Sequence, residues 1–298
     1  MQNAKDFSPA AHGLTITIIG PPGSGKSHFA RSAVQHYAGD GTGPAKSFAL
    51  LAPSAELASY AGLNMDYEIL ADENFDVMGF LQTADRSKLS AKAYNLLRDT
   101  LTKLEASSQY KLTIFDTMSK GVDRAVWNSI MAGEGAVLTQ AVNNPFGPYV
   151  KYSMAMEQIV NRLDLLRYRK QMHLIMLWHS DMKELEGHGK MRTELNDKGK
   201  REVRWDAAMQ PEAHGRAFPP QVLAWSDLAF YGEPVVTAGK DGKKDFRCRL
   251  VAVPDEVRLP KTRLPGVMKR LAEMSEIPND FPALLKVVEE CYKAGGGR

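Results

Sequence analysis

Cysteine is nearly absent from the 298-residue chain, whose only thiols are Cys248 and Cys291, in no metal-binding spacing. That scarcity argues against a disulfide framework and a structural zinc site, and it fits a reducing compartment. No apolar run reaches the roughly 18 residues that a membrane-spanning helix needs, and residues 1–13 lack a cationic stretch followed by an apolar one. The chain is therefore read as cytoplasmic and without a membrane partner. An excess of one charge is also missing. The 38 Lys and Arg against 35 Asp and Glu leave +3, which neither demands nor excludes a polyanion. Repeats and low-complexity blocks are absent, and 44% hydrophobic with 24% charged residues is the balance of a globular core rather than of disorder.

What is present alternates. Residues 14–20, Leu-Thr-Ile-Thr-Ile-Ile-Gly, predict a strand, followed by a glycine- and proline-rich turn and a helix over 26–37. Further strands are expected at 47–52, 112–116, 173–179 and 228–231, with helices at 88–107 and 154–170 and a weakly helical segment at 56–61. A late hairpin would pair 235–237 with 246–253 across Gly239-Lys-Asp-Gly-Lys-Lys. Short helices fit 267–274 and 282–292. Such alternation predicts an α/β fold, a mainly parallel sheet with helices on both faces and an antiparallel C-terminal edge hairpin. The expected organisation is a flexible N-terminus at 1–13, a core at 14–265 and a C-terminal helical appendage at 266–298. Glycine, proline and interleaved charge mark mobile excursions at about 118–152 and 181–220.

One motif is specific. Gly20-Pro21-Pro22-Gly23-Ser24-Gly25-Lys26-Ser27 fits G-x-x-x-x-G-K-[ST] between a predicted strand and a predicted helix, and His28 continues it. Glycines let successive backbone N–H groups turn toward phosphates at the positive end of a helix. Lys26 would reach the β and γ phosphates of ATP, and the Ser27 hydroxyl would ligate Mg²⁺. Leu112-Thr-Ile-Phe-Asp116 delivers a carboxylate at a strand's C-terminal end, where ligands collect in open α/β sheets. Asp116 suits the Mg²⁺ shell, and the same residue would also serve as a cap for the next turn.

Three more segments complete a pattern. Phe48-Ala-Leu-Leu-Ala-Pro-Ser-Ala-Glu56 places an acid after the second strand, His173-Leu-Ile-Met-Leu-Trp-His179-Ser180 ends a buried strand in a histidine, and Lys261-Thr-Arg263-Leu-Pro-Gly266 sets two cations before a glycine. With Asp116-Thr117, these segments resemble the RecA-like branch of P-loop ATPases, most of all the compact phage-encoded RecA-like nucleotide-binding proteins associated with single-strand annealing. The resemblance implies that Glu56 is the catalytic base, with Glu73 in Ala71-Asp-Glu-Asn a rival. It makes His179 a γ-phosphate sensor, and it makes Lys261 and Arg263 fingers reaching a neighbouring subunit's nucleotide in a homo-oligomeric ring or short filament. The activity implied is Mg²⁺-dependent ATP hydrolysis coupled to single-stranded DNA binding in recombination or replication, in the host cytoplasm for a phage protein.

On the residues themselves, alternatives stay open. Glu56 also suits the first turn of a helix, where the dipole favours an acid, and His179 a structural hydrogen bond. Residues 181–205 hold Lys183, Lys190, Arg192, Lys198, Lys200, Arg201 and Arg204 beside Trp205, a composition fit for single-stranded DNA. Asp181, Glu184, Glu186, Glu194, Asp197 and Glu202 nearly cancel those charges, so an ordinary solvated loop fits as well. A P-loop kinase acting on a small acceptor, with Arg192, Arg201 and Arg204 on a lid, is the competing enzyme class. A nucleotide-gated assembly factor without DNA is the third.

Overall fold

The computed structural model describes residues 12–70, 91–133, 147–184, 192–195, 201–204, 207–214, 218–238, 244–252, 258, 260–264, 266–274 and 277–295. Five parallel strands form its frame: β1 (Thr15–Ile19), β2 (Ser47–Leu51), β3 (Asp66–Ile69), β4 (Leu112–Asp116) and β5 (His173–Trp178). The helices between and after them are α1 (Lys26–Ala38), a 3₁₀ helix (Ser54–Tyr60), α2 (Lys92–Ala106), α3 (Asp123–Gly133) and α4 (Gly147–Lys170). Two hairpin pairs follow β5. In the first, β6 (Ser180–Glu184) pairs with β9 (Ala207–Pro211); in the second, β7 (Arg192–Leu195) pairs with β8 (Arg201–Arg204). The chain then runs through α5 (Pro219–Trp225), β10 (Leu228–Ala238), β11 (Lys244–Val251), β12 (Lys261–Thr262), α6 (Val267–Ala272), β13 (Ile277–Pro278) and α7 (Phe281–Gly295).

The main sheet has the order β13-β11-β10-β1-β5-β4-β2-β3, with β12 beside β10. Its central strands are apolar on both sides, and the pleat sends alternate residues to two cores. Ile16, Ile18, Ile114, Ile175 and Leu177 pack with Phe29 and Val34 of α1 on one face. Phe115, Leu174, Met176 and Trp178 pack with Leu97, Leu101, Tyr152 and Leu163 of α2 and α4 on the other. Each of these large side chains contributes roughly 1.5–3 kcal/mol by leaving water.

Three local differences from the sequence reading have physical causes. β10 is one continuous strand through Gly232 and Pro234 because the segment pairs without a break with β11; the glycine is needed for the P-loop, since a Cβ there would lie 2.7 Å from the Ser24 carbonyl oxygen. Its first part runs parallel to β1, while the whole strand from Tyr231 onward pairs antiparallel with β11. Within 118–152, a π-helical turn (Met118–Val122) leads into α3, and α4 starts at Gly147, ahead of the expected residue 154. Finally, Val267, Leu271, Phe281, Leu284 and Val288 are buried in the α1 face of the core, so the segment read as an appendage is packed into it. The Phe281 ring sits edge-on to Phe29 and His173, with centroids 6.0 and 5.5 Å away. Residues 1–11 of the expected flexible N-terminus lie outside the described residues.

Candidate nucleotide-binding site

β1 carries the chain to the carboxyl edge of the parallel strands, and the P-loop turns there into α1. Gly25 stands just before that helix with φ +82°, in the left-handed region, and a Cβ on it would lie 2.4 Å from both Asn279 Nδ2 and Cys248 Cβ. Only glycine meets both conditions. Lys26 opens α1 and folds back over the loop, donating to the Gly20 and Pro21 carbonyl oxygens at 2.8 Å each. Burial pushes its pKa down to about 8, against the pull of Asp116 and Glu56.

The neighbouring strands bring the other candidates to the same edge. Asp116 ends β4 fully buried, and its Oδ2 accepts the Tyr60 hydroxyl at 2.8 Å while its buried Oδ1 makes no hydrogen bond. Burial raises the pKa of this carboxyl; the Tyr60 and Ser27 hydroxyls and the Lys26 ammonium oppose the rise. Glu56 lies in the first turn of the 3₁₀ helix after β2. Its pKa is raised by burial and by the charge of Asp116, with Lys26 and Lys120 pulling the other way. His179 follows β5, its backbone N–H donating to Ser119 Oγ at 3.0 Å and its carbonyl accepting from Glu212 N at 2.8 Å. Burial, then Lys26 and Lys120, push its pKa down to about 4, so the ring is neutral at pH 7, with a buried Nε2 that has no partner.

A single cavity of about 720 Å³ is lined by Pro22 to His28 of the P-loop together with Glu56, Asp116 and His179. That volume suits a nucleotide. The rival acid Glu73 lies outside the described residues, as do Lys190, Lys198, Lys200 and Trp205. Lys261 and Arg263 are elsewhere. Thr262 pairs with Leu228 at the level of Ile16, and the Arg263 N–H donates to the Asp227 carbonyl oxygen. These two cations therefore sit toward the opposite end of the sheet, about 13 Å of strand from Gly20.

Six contributors to the site were not assigned a role from the sequence. The buried Tyr60 anchors Asp116, and Lys120 acts electrostatically on Lys26, Glu56 and His179. The far wall is built by Arg247 and Cys248 of β11 and by Asn279 and Asp280 before α7. The one signal in the sequence was Asn279-Asp280 ahead of an apolar helical run, which reads as a helix cap.

The donors fit Mg²⁺. Among the described residues no group of three or more His, Cys, Asp or Glu side chains is arranged to hold a metal. The site instead offers the Ser27 hydroxyl in the first turn of α1 and one carboxylate with an unpartnered buried oxygen, Asp116. That sparse set of hard oxygens suits a cation whose remaining positions are filled by water and phosphate oxygens.

The low pKa of Lys26 has a measurable consequence. A bound polyphosphate favours the charged ammonium, so binding above about pH 8 requires proton uptake. Affinity for nucleotide is expected to be level below that pH and to fall as pH rises through it. Titration calorimetry in buffers of different ionisation enthalpy would read the proton directly, and a flat profile to pH 9.5 contradicts the assignment.

No helix among the described residues is long and apolar enough to cross a membrane. No curated protein matches the chain. A family model described as an AAA domain matches residues 12–209, a segment that holds the P-loop, Glu56, Asp116 and His179. With that match covering about two thirds of its length, and with a mainly parallel sheet that ends in this loop, the chain belongs to the AAA domain family and has the fold of a P-loop NTPase.

Proposed function

We propose that the protein is a Mg²⁺-dependent ATPase of the RecA-like branch that couples ATP hydrolysis to single-stranded DNA binding in phage-type recombination or replication. The observation that carries the reading is the convergence of Lys26, Asp116, Glu56 and His179 on one cavity at the carboxyl edge of the sheet. The RecA-like branch is supported by the acid that follows β2, a strand away from Asp116, and by β5 lying between β1 and β4.

In this reading the P-loop amides and Lys26 bind the phosphates, and Ser27 and Asp116 hold the cation. When bound, Mg²⁺ supplies neutralisation of charge on the phosphate oxygens. Glu56 orients a water molecule and takes its proton as the water oxygen bonds to the γ-phosphorus. The bond to the β-bridging oxygen breaks in the same passage, giving ADP and phosphate. Burial and the charge of Asp116 raise the carboxyl pKa, which makes Glu56 a stronger base than a solvated glutamate. Neutral His179 offers its Nε2 toward the terminal phosphate, and Lys120 adds positive charge on that side.

DNA coupling is supported by connectivity. The β6–β9 hairpin begins at Ser180, directly after His179, and is tied back through the Glu212 N–H to His179. Beyond it, β7 and β8 set Arg192 opposite Arg204. Movement at the histidine would thus be passed to a segment carrying cations.

ATP turnover measured with and without single-stranded DNA, and with small phosphate acceptors, tests this function. Stimulation by DNA supports it; acceptor phosphorylation without DNA response indicates a kinase, and nucleotide binding indifferent to both indicates an assembly factor. Two variants separate the roles. Asp116→Asn is expected to weaken Mg²⁺-dependent nucleotide binding, whereas Glu56→Gln keeps binding and loses about 10²–10⁴ in kcat. Normal turnover in Glu56→Gln would remove the base from this position.

A further inference from the structure

The P-loop reads phosphates and is blind to the base attached to them. Its position on β1 nevertheless fixes where the base must lie. The strands on one side of β1 deliver Asp116, Glu56 and His179, which mark the terminal-phosphate end of the cavity. The strands on the other side, β10 and β11, and the turn before α7 deliver the opposite wall. A nucleoside whose phosphates occupy the P-loop leaves the cavity along that wall. Its residues lie beyond position 209, outside the matched AAA segment.

Two adjacent side chains there are each pinned by one atom and uncommitted at the other. Asn279 is buried, with Nδ2 donating to the Gly25 carbonyl oxygen at 2.9 Å, while Oδ1 has no hydrogen-bond partner. Asp280 accepts the Ala283 N–H through Oδ1 at 2.9 Å, capping α7, and its Oδ2 has no partner among the described residues. Phe281, next in sequence, is fully buried against Phe29, and its N–H donates to Ser32 Oγ at 2.8 Å, so the turn is held rigidly to α1. Cys248 closes the wall, its thiol facing the Gly23 carbonyl oxygen.

Resting on the nucleotide-binding reading above, we infer that the Asn279-Asp280 turn is the base subsite and accepts hydrogen bonds from the exocyclic amino group of a purine. Two acceptors without donors between them complement an –NH₂ group, which adenine carries at N6 and guanine at N2. The pinning bonds preorganise both acceptors, so little side-chain entropy is lost on binding. Leaving such acceptors unpaired when a base without the group enters the site is what confers discrimination.

The experiment uses nucleoside diphosphates, which are not turned over, and inorganic pyrophosphate, measured by calorimetry on the full chain. The unmodified protein is expected to bind ADP more tightly than IDP, whose hypoxanthine has neither amino group; GDP binding more tightly than ADP would keep the subsite but replace ATP by GTP in the reading above. Asp280→Asn keeps a good helix cap but replaces the charged acceptor. It is expected to lose roughly ten- to a hundredfold in affinity for the preferred diphosphate, to narrow the gap to IDP, and to leave pyrophosphate affinity unchanged. Retained pyrophosphate binding also reports that the variant is folded. If Asp280→Asn binds every diphosphate as the unmodified protein does, or if IDP equals ADP and GDP from the start, the base subsite is refuted while the phosphate site stands. If neither pyrophosphate nor any diphosphate binds the unmodified protein, the nucleotide reading itself fails and this inference falls with it.

Discussion

Lys26→Ala is expected to abolish ATP hydrolysis, with a loss of about 10²–10³ or more in kcat and a matching collapse in nucleotide affinity, while the fold persists. Lys26 is 6% exposed, and its ammonium donates to carbonyl oxygens of the loop it spans, Gly20 and Pro21. A positive charge held by loop carbonyls is poised to exchange them for phosphate oxygens, an exchange no neutral side chain can make. The structural cost is small, because the carbonyls released line a water-accessible cavity and because removing a desolvated charge offsets part of the lost bonding. Thermal melts followed by circular dichroism should therefore shift by only a few degrees. Unchanged turnover in the folded variant would sink the P-loop assignment, since no other described cation on that loop is placed to substitute.

The contrast between that residue and its surroundings explains how much of the site was legible in the sequence. The stretch from Leu14 to Ser27 announces itself because its demands are local: β-branched residues for a strand covered on both faces, then glycines where the backbone must turn left-handed. Asp116 was legible for the same reason, as a carboxylate closing an apolar strand. Arg247, Cys248, Asn279 and Asp280 were not. They come to the P-loop cavity only because β10 and β11 are laid beside β1, a contact spanning 225 residues for Cys248 and Gly23. Sheet order is decided by the competition of whole strands for the core, and no short window of sequence carries it. β3 went unnoticed for a different reason. As the last strand of its edge it reads Asp-Tyr-Glu-Ile, with the charge that edge strands use against unwanted pairing, and so lacks an apolar signature. The buried Tyr60 shows a third limit: that a tyrosine is inside requires an acceptor for its hydroxyl, yet nothing local names Asp116 as that acceptor.

Arg263→Ala is expected to lower kcat by about 10³ or more without altering nucleotide affinity of isolated subunits, on the proposal that the active enzyme is an oligomer. Arg263 cannot serve its own P-loop, because β12 is joined to β10 near its start, at the level of Ile16, toward the opposite end of the sheet from Gly20. A cation there acts on a phosphate only if the phosphate belongs to a neighbour. Its surroundings supply the competing role. Its charge, with that of Arg167, holds down the pKa of Asp227, which burial raises, and Asp227 Oδ2 accepts the Thr15 N–H at the root of β1. The two roles separate cleanly. A structural cation gives a lower melting temperature with kcat intact, whereas a shared-site cation gives the reverse. Mixing resolves the matter further: inactive Lys26→Ala subunits combined with inactive Arg263→Ala subunits form some interfaces that join an intact P-loop to an intact finger, so activity should partly return. Specific activity of the unmodified protein should also rise with concentration through the assembly range. If mixed oligomers form and remain inactive, or if Arg263→Ala is fully active, Arg263 serves with Arg167 as a structural cation beside Asp227 and the catalytic centre is complete within one chain.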